Sequence, residues 1–138
     1  MADKLTLKLV TPLAEVVAGE ADMVVLPAHH GELGVLPGHD RYMALLSVGA
    51  LRMTSGTDTR VFFVANGYAE VGGDEVRVLA EVCEPVASID VARAKSAQQR
   101  AEERLAKSAS DADIDIRRAQ AALTRALMRQ TLAGAGPH

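Results

Sequence analysis

Arginines recur at fixed spacings in the C-terminal third of the chain. Intervals of seven and then four residues separate Arg93, Arg100 and Arg104, and the same intervals separate Arg118, Arg125 and Arg129. On a helix these spacings place each trio on one face. The planar guanidinium group matches the geometry of phosphate and carboxylate. Two interpretations remain open: each face is simply solvated, or the two stripes together hold the phosphates of a nucleotide and, when separated, meet an acidic protein surface.

A second group of polar residues resembles a metal site. It consists of His29, His30, Glu32 and His39, and histidines with a carboxylate can bind zinc or iron. Adjacent histidines on an extended segment point to opposite faces, which argues against a shared ion. The chain also has no GxxxxGK[ST] loop and no GxSxG motif. We therefore predict neither a metal centre nor a catalytic constellation.

Composition narrows the class of protein. The 138 residues are 49% hydrophobic, enough for a real core, and only 3% aromatic with a net charge of -3, which argues against nucleic-acid binding. Residues 1–87 carry 6 basic and 12 acidic side chains, whereas residues 88–138 carry 9 and 6. This asymmetry predicts two parts with different partners. We expect a soluble protein without a secretory signal or membrane-spanning helix, and a buried Cys83 without redox chemistry.

The arginines follow a segment with the pattern of short strands. Leu5, Leu7 and Leu9 alternate with polar residues, and Val76, Val78, Ala80 and Val82 alternate with Arg77, Leu79 and Glu81. Val61–Val64 has the character of a buried strand. Turns are predicted at Ala18-Gly19, Ser55-Gly56, Asn66-Gly67 and Gly72-Gly73-Asp74. The prediction for residues 1–86 is an antiparallel β-sandwich of about ten strands.

Residues 87–138 form the second predicted domain. Residues 88–133 lack glycine, proline and aromatic residues, which favours helix. Ser88 or Asp90 is expected to cap a first helix that ends near Ser108, and Ser110–Asp113 to turn and cap a second that ends near Leu132, before Gly134-Ala135-Gly136-Pro137. So short a connection predicts an antiparallel two-helix hairpin.

The predicted seam between these helices is rich in alanine. It comprises Val91, Ala94, Ala97, Ala101 and Leu105 on the first helix, and Ile116, Ala119, Leu123, Ala126 and Leu127 on the second. Alanine buries less apolar area than leucine, and each Å² of buried apolar area contributes about 25 cal/mol of stability. The hairpin is therefore expected to dock or open at modest cost, although a static hairpin also fits the composition.

Two motifs carry a resemblance to a known family. The decapeptide Gly31–Asp40, GELGVLPGHD, reads as a shaped turn that exposes Glu32 and His39, and Ile89–Ala94 fits the pattern IDxxRA. Together they resemble the epsilon subunit of the rotary F-type ATP synthase, called delta in mitochondria. The resemblance covers essentially the whole chain.

The resemblance implies specific sites. In some bacterial members the folded hairpin binds ATP, and the matching positions here are Glu84, Ile89, Asp90, Arg93, Ala94, Arg100, Arg125 and Arg129. The ligand would be regulatory MgATP, with no cofactor required for catalysis. Glu32 and His39 would meet the polar loops of the membrane-embedded c-ring.

The resemblance also implies a role. The sandwich would clamp the gamma subunit and rest on the c-ring at the cytoplasmic face of the bacterial plasma membrane, as a peripheral, non-catalytic part of the central stalk. The compact hairpin would permit ATP hydrolysis, and the hairpin extended along gamma toward the alpha and beta subunits would inhibit it. The alternatives are a freestanding nucleotide-sensing module and a small metal-dependent β-barrel enzyme.

Overall fold

The computed structural model describes residues 4–135. They form two compact units, residues 4–85 and residues 86–135. The first unit contains eight strands: β1 (Leu5–Val10), β2 (Glu15–Ala21), β3 (Met23–Ala28), β4 (Gly31–Val35), β5 (Tyr42–Leu46), β6 (Gly49–Ser55), β7 (Asp58–Gly72) and β8 (Glu75–Pro85). The second contains a 3-10 turn (Val86–Ser88) and helices α1 (Val91–Lys107) and α2 (Ile116–Ala135).

The strands form the predicted β-sandwich. Their pairing order is β2-β1-β8-β7-β5-β3-β4, and β6 pairs with both β3 and β7. All pairings are antiparallel except that of β1 with β8, which is parallel. Residues 4–135 contain eight strands rather than about ten, because β2 and β7 each continue through a position where a turn was predicted.

Alternating side chains build the sandwich core. Leu5, Leu7 and Leu9 are buried in this core, and so is Phe62 of the predicted strand. Its neighbour Phe63 is also buried but does not belong to this core cluster. On β8 the alternation continues only to Ala80, after which Cys83 is buried and Val82 is partly exposed. Burial raises the pKa of the Cys83 thiol to about 11, with a smaller contribution from the nearby Glu84 charge. At neutral pH Cys83 is therefore a protonated core residue.

Two of the four predicted turns are turns in the structure. Gly56 (φ +62°) lies in the β6–β7 turn and Gly73 (φ +53°) in the β7–β8 turn. Gly19 instead lies inside β2, where it pairs with Leu7. The prediction for Asn66-Gly67 is also wrong: β7 runs straight through it, with Asn66 at φ 58°.

Only the second half of the decapeptide Gly31–Asp40 forms a turn. Its first five residues are strand β4, which pairs with β3 through a tight turn at His29 and His30. The prediction that these two histidines lie on an extended segment is therefore wrong, because they occupy the reversal itself. The turn expected in this decapeptide is confined to its second half, around Pro37 and Gly38.

Candidate nucleotide site and partner surface

Asp90 fixes the start of α1. Its Oδ1 accepts a hydrogen bond from the Arg93 N–H at 3.0 Å, and its carbonyl accepts from the Ala94 N–H at 3.0 Å. The cap is therefore Asp90, one of the two predicted candidates, and Ile89 is joined to the preceding 3-10 turn through the Val86 carbonyl at 3.2 Å. Because the cap bonds the Arg93 amide directly, it determines where Arg93 lies on the first helical turn.

The cap of α2 differs from the prediction. Asp115, rather than Ser110–Asp113, accepts from the Arg118 N–H at 3.1 Å, and the helix begins at Ile116. Asp111 instead accepts from the Asp113 N–H at 3.0 Å inside the connecting loop. Three aspartates compete here, and only Asp115 stands immediately before the first helical residue. At the other end, Gly134 lies within α2, and the predicted stop at Gly136-Pro137 lies outside the described residues.

Four alanines form the buried centre of the hairpin. Ala94 and Ala101 on α1, and Ala119 and Ala126 on α2, are each at most 3% exposed. The other predicted seam residues are less buried, and Val91, Ile116 and Leu127 are 39%, 47% and 44% exposed. Those three do not belong to the seam, because a helix pair that meets on alanines leaves larger residues at the sides of the contact uncovered.

One hydrogen bond fixes the register of the two helices. Gln130 Nε2 donates to Gln98 Oε1 at 2.7 Å. The two residue numbers add to 228, so residues of the antiparallel helices whose numbers add to about 228 lie side by side. Arg100 is then level with residue 128, one residue from Arg129 and three from Arg125. At about 1.5 Å of rise per residue, these offsets are about 1.5 and 4.5 Å along the axis.

All the arginines of the two trios lie on one face of the hairpin. Each helix contains two arginines that immediately precede a buried alanine, and the two pairs are seven residues apart. The pairs are Arg93-Ala94 and Arg100-Ala101 on α1, and Arg118-Ala119 and Arg125-Ala126 on α2. One residue is a rotation of about 100° around a helix. Antiparallel helices are related by a two-fold axis across the seam, so equal rotations from the seam lead to the same side of the pair. The sequence predicted the two stripes, and the register of the seam brings them together.

The helices that form this arginine face carry an excess of positive charge. Helices α1 and α2 contain nine basic residues and two acidic ones, Glu102 and Glu103. Within residues 4–135 no carboxylate lies within ion-pair distance of Arg93, Arg100 or Arg125. Arg93 and Arg100 are exposed, whereas Arg125 and Arg129 are half-buried. Such a face is suited to bind an anion with several oxygen atoms.

Not all of the predicted nucleotide residues are on this face. Ala94 is buried in the seam, Asp90 is occupied as a cap, and Ile89 is partly buried. Glu84 belongs to the other unit, on β8 opposite Phe63. The structure thus brings together the arginines of the predicted set, and Glu84 remains a prediction of the resemblance.

Glu32 and His39 occupy different elements. Glu32 is an exposed residue of β4, and its Oε2 lies 3.6 Å from an Arg52 guanidinium nitrogen. His39 follows the Pro37-Gly38 turn, and its Nδ1 lies 2.7 Å from the Asp40 carbonyl oxygen. Since a carbonyl only accepts, Nδ1 carries the proton, and Nε2 has no partner within residues 4–135. The expectation that both side chains project from one turn is corrected: only His39 does.

An exposed apolar strip lies beside His39 in the chain and was missed by sequence reasoning. Met43 and Leu45 are each 62% exposed on β5, with Leu36 at 57% and Tyr42 at 49%. Ala44 and Leu46, between and after them, are buried. The segment reads as one continuous apolar run, so its sequence contains no alternation that distinguishes the outer face. Exposed apolar patches of this kind mark protein interfaces.

The histidine cluster does not form a metal site in the described part of the chain. No group of three or more histidine, cysteine or acidic side chains suited to a metal ion occurs there. His29 instead lies 3.4 Å from the Ser47 hydroxyl through its Nδ1.

Comparison with known proteins places the chain in a family. Residues 4–86 match the beta-sandwich domain of the ATP synthase delta/epsilon chain, and residues 88–134 match its long alpha-helix domain. The chain belongs to the ATP synthase delta/epsilon chain family. It is 44% identical to the ATP synthase epsilon chain of Syntrophobacter fumaroxidans, over 96% of this chain and 98% of the relative. It is 43% identical to that of Halalkalibacterium halodurans, over 94% and 97%.

The fold has counterparts among solved structures. A chain in the mitochondrial ATP synthase of Euglena gracilis, in a structure of its OSCP, F1 and c-ring, matches with a TM-score of 0.77 at 21% identity, over 96% of this chain and 81% of that one. Family membership makes the present chain a non-catalytic subunit of the central stalk of the F-type ATP synthase. None of the helices described over residues 4–135 is both long and apolar enough to cross a membrane.

Proposed function

We propose that this subunit couples rotation through its sandwich and regulates ATP hydrolysis through its hairpin, which senses MgATP. The sandwich binds the gamma subunit and the c-ring, at the cytoplasmic face of the bacterial plasma membrane. The compact hairpin holds ATP and permits hydrolysis. Extended along gamma, it reaches the alpha and beta subunits and inhibits hydrolysis.

The arginine face is the observation that most directly supports binding of MgATP by the hairpin. The backbone positions of three arginines, Arg100, Arg125 and Arg129, lie within about 6 Å of one another along the hairpin axis. Arg93 starts about 9 Å beyond Arg129, nearer the first turn of α1. A chain of phosphates bound along this face would contact both helices and therefore hold the hairpin closed.

The seam explains why such a ligand matters. The four buried alanines offer little apolar area, whereas burying one leucine side chain contributes about 1.5–3 kcal/mol. A ligand that binds only the closed hairpin stabilises it by about 2.7 kcal/mol at 100 times its dissociation constant. This is comparable to what a single buried leucine would add. ATP concentration is then able to shift the hairpin between its two forms.

The exposed strip on β5 supports the rotor contact. Met43 and Leu45 project from a rigid strand whose other face is in the core, so the patch is preformed. His39 precedes the strip and presents a polar ring with a free Nε2 within the described residues. An apolar patch with a polar residue at its border is a common interface design. We assign this surface to the rotor partners, with His39, joined by Glu32, toward the polar loops of the c-ring.

Titration of the purified chain with MgATP tests the nucleotide site. We expect Arg100→Ala and Arg125→Ala each to weaken binding by about 10- to 150-fold, because each removes a charged hydrogen bond worth about 1.5–3 kcal/mol from a different helix. Arg117→Ala is the matched control, since it removes the same charge from α2 one residue away from the arginine face. Equal binding by all three variants and the parent chain would show that the arginine face is not the site.

A further inference from the structure

The loop that carries His39 is a type II turn. Pro37 and Gly38 are its central residues, Gly38 has φ +83°, and the His39 N–H donates to the Leu36 carbonyl at 3.2 Å. This closing bond leaves the Gly38 N–H unused within the turn. The Gly38 N–H donates instead to Asp74 Oδ1 at 2.8 Å, across 36 residues of sequence.

Asp74 is itself held firmly. It lies in the β7–β8 turn beside Gly73, and its carbonyl oxygen accepts from the Thr6 N–H of β1 at 2.8 Å. Asp74 therefore joins three segments of the sandwich: β1 through its backbone, the hairpin to which it belongs, and the His39 loop through its carboxylate. A carboxylate that accepts a backbone N–H makes a charge-assisted hydrogen bond.

The loop meets the same hairpin a second time. A Cβ atom built on Gly72 would lie 2.9 Å from Arg41 Cγ, so the Arg41 side chain packs directly over that glycine. Strand β5 then begins with Tyr42 opposite Val71. His39 is thus bracketed by two attachments to the β7–β8 hairpin, at Gly38 on one side and at Arg41 on the other.

We propose that Asp74 is a positioning residue that holds the Pro37-Gly38 turn on the β7–β8 hairpin and thereby presents His39 to the c-ring. The inference rests on the proposed rotor contact of His39. Asp74 does not itself need to touch the ring. Its contribution is to keep the loop from moving when torque passes through it.

The first arm of the test measures the anchor in the full chain alone. Asp74→Ala should speed hydrogen exchange of the Gly38 amide about tenfold, whereas Asp74→Asn, which keeps an acceptor oxygen, should retain most of the protection. Asp58→Ala, in the β6–β7 hairpin, is the control and should leave Gly38 unchanged. Unchanged Gly38 exchange in Asp74→Ala would overturn the anchor.

The second arm measures ATP-driven proton pumping by the assembled enzyme. Asp74→Ala should impair pumping, Asp74→Asn should restore it, and Asp74→Ala should add nothing in a His39→Ala background. If Asp74→Ala lowered pumping in the His39→Ala background by the same factor as in the parent enzyme, the positioning role would be overturned. Normal pumping by His39→Ala would instead contradict the proposed ring contact, while the exchange measurement still decides whether Asp74 anchors the turn.

Discussion

Aspartates that accept backbone N–H groups fix the ends of several elements in this protein. Asp90 and Asp115 cap the two helices within three residues of their donors. Asp22 and Asp74 bind Gly56 and Gly38, which lie 34 and 36 residues away in sequence. Each side chain is short enough to be rigid once bonded, which suits it to turns and caps.

The sequence alone predicts the roles of these four aspartates to different extents. Asp90 was one of two predicted caps, because a cap precedes a helical pattern at a known spacing. Asp115 was missed because three aspartates in five residues satisfy the same rule, and only the backbone geometry distinguishes them. Asp22 and Asp74 give no local signal at all, because their partners become neighbours only after the sheet has formed.

Replacement of Asp22 by asparagine should destabilise the sandwich in a pH-dependent way. The Gly56 N–H at 2.6 Å, and then the Lys4 ammonium group, lower the pKa of Asp22 below its ordinary value of 3.8. Stability gained from this ionised group is present above the pKa of the unfolded chain and is lost as pH falls through the lower pKa of the folded chain. The melting temperature of Asp22→Asn should therefore lie below that of the parent at neutral pH.

The difference between the two melting temperatures should shrink in acid, below the ordinary carboxyl pKa. Asp58→Asn serves as the control, because it removes a carboxylate from the β6–β7 hairpin that contains Gly56 but leaves the hydrogen bond from Gly56 to Asp22 in place. A difference that is the same at neutral and strongly acidic pH would mean that charge on Asp22 is irrelevant to folding.

At the scale of elements, the long strand β7 determines the shape of the sandwich. Its first half pairs with β6 and its second half with β5, and the change occurs at Asn66-Gly67. An Asn-Gly pair between apolar runs is a strong hairpin signal. Here the backbone freedom of Asn66-Gly67 allows β7 to change from one partner strand to the other. This change depends on contacts distant in sequence, so local patterns do not predict it.

Gly67→Ala should destabilise the sandwich by at least about 1–3 kcal/mol, the usual cost of overpacking. A Cβ atom at this position would lie 2.2 Å from the Leu79 carbonyl oxygen, a backbone atom that cannot move aside. Gly19→Ala is the matched control on β2, since its Cβ would meet only the flexible end of Met53 at 3.8 Å. Chemical unfolding of both variants measures the effect, and equal stability would refute the close approach at Gly67.

At the scale of the whole molecule, the charge asymmetry of the sequence corresponds to two units. The excess of acidic residues falls in the sandwich, and the arginine face falls on the hairpin. Strand alternation and helix-favouring composition were sufficient to predict both folds. The face shared by the two arginine stripes was only an expectation, because it depends on which alanines meet across the seam.

The central claim is that a closed hairpin relieves inhibition of ATP hydrolysis. Cysteines in place of Gln98 and Gln130, whose side chains meet across the helices, allow a short dithiol-reactive cross-linker to lock the hairpin. Cys83 is replaced by alanine so that no other thiol competes, and each single-cysteine chain treated with the same reagent is the control.

ATP hydrolysis by the assembled enzyme, with cross-linking verified as complete by mass spectrometry, is the most direct measurement. The locked enzyme should hydrolyse ATP faster than the same enzyme before cross-linking, and removal of ATP before the assay should no longer slow its initial rate. Equal rates before and after complete cross-linking would contradict the claim that opening of the hairpin is the inhibitory step.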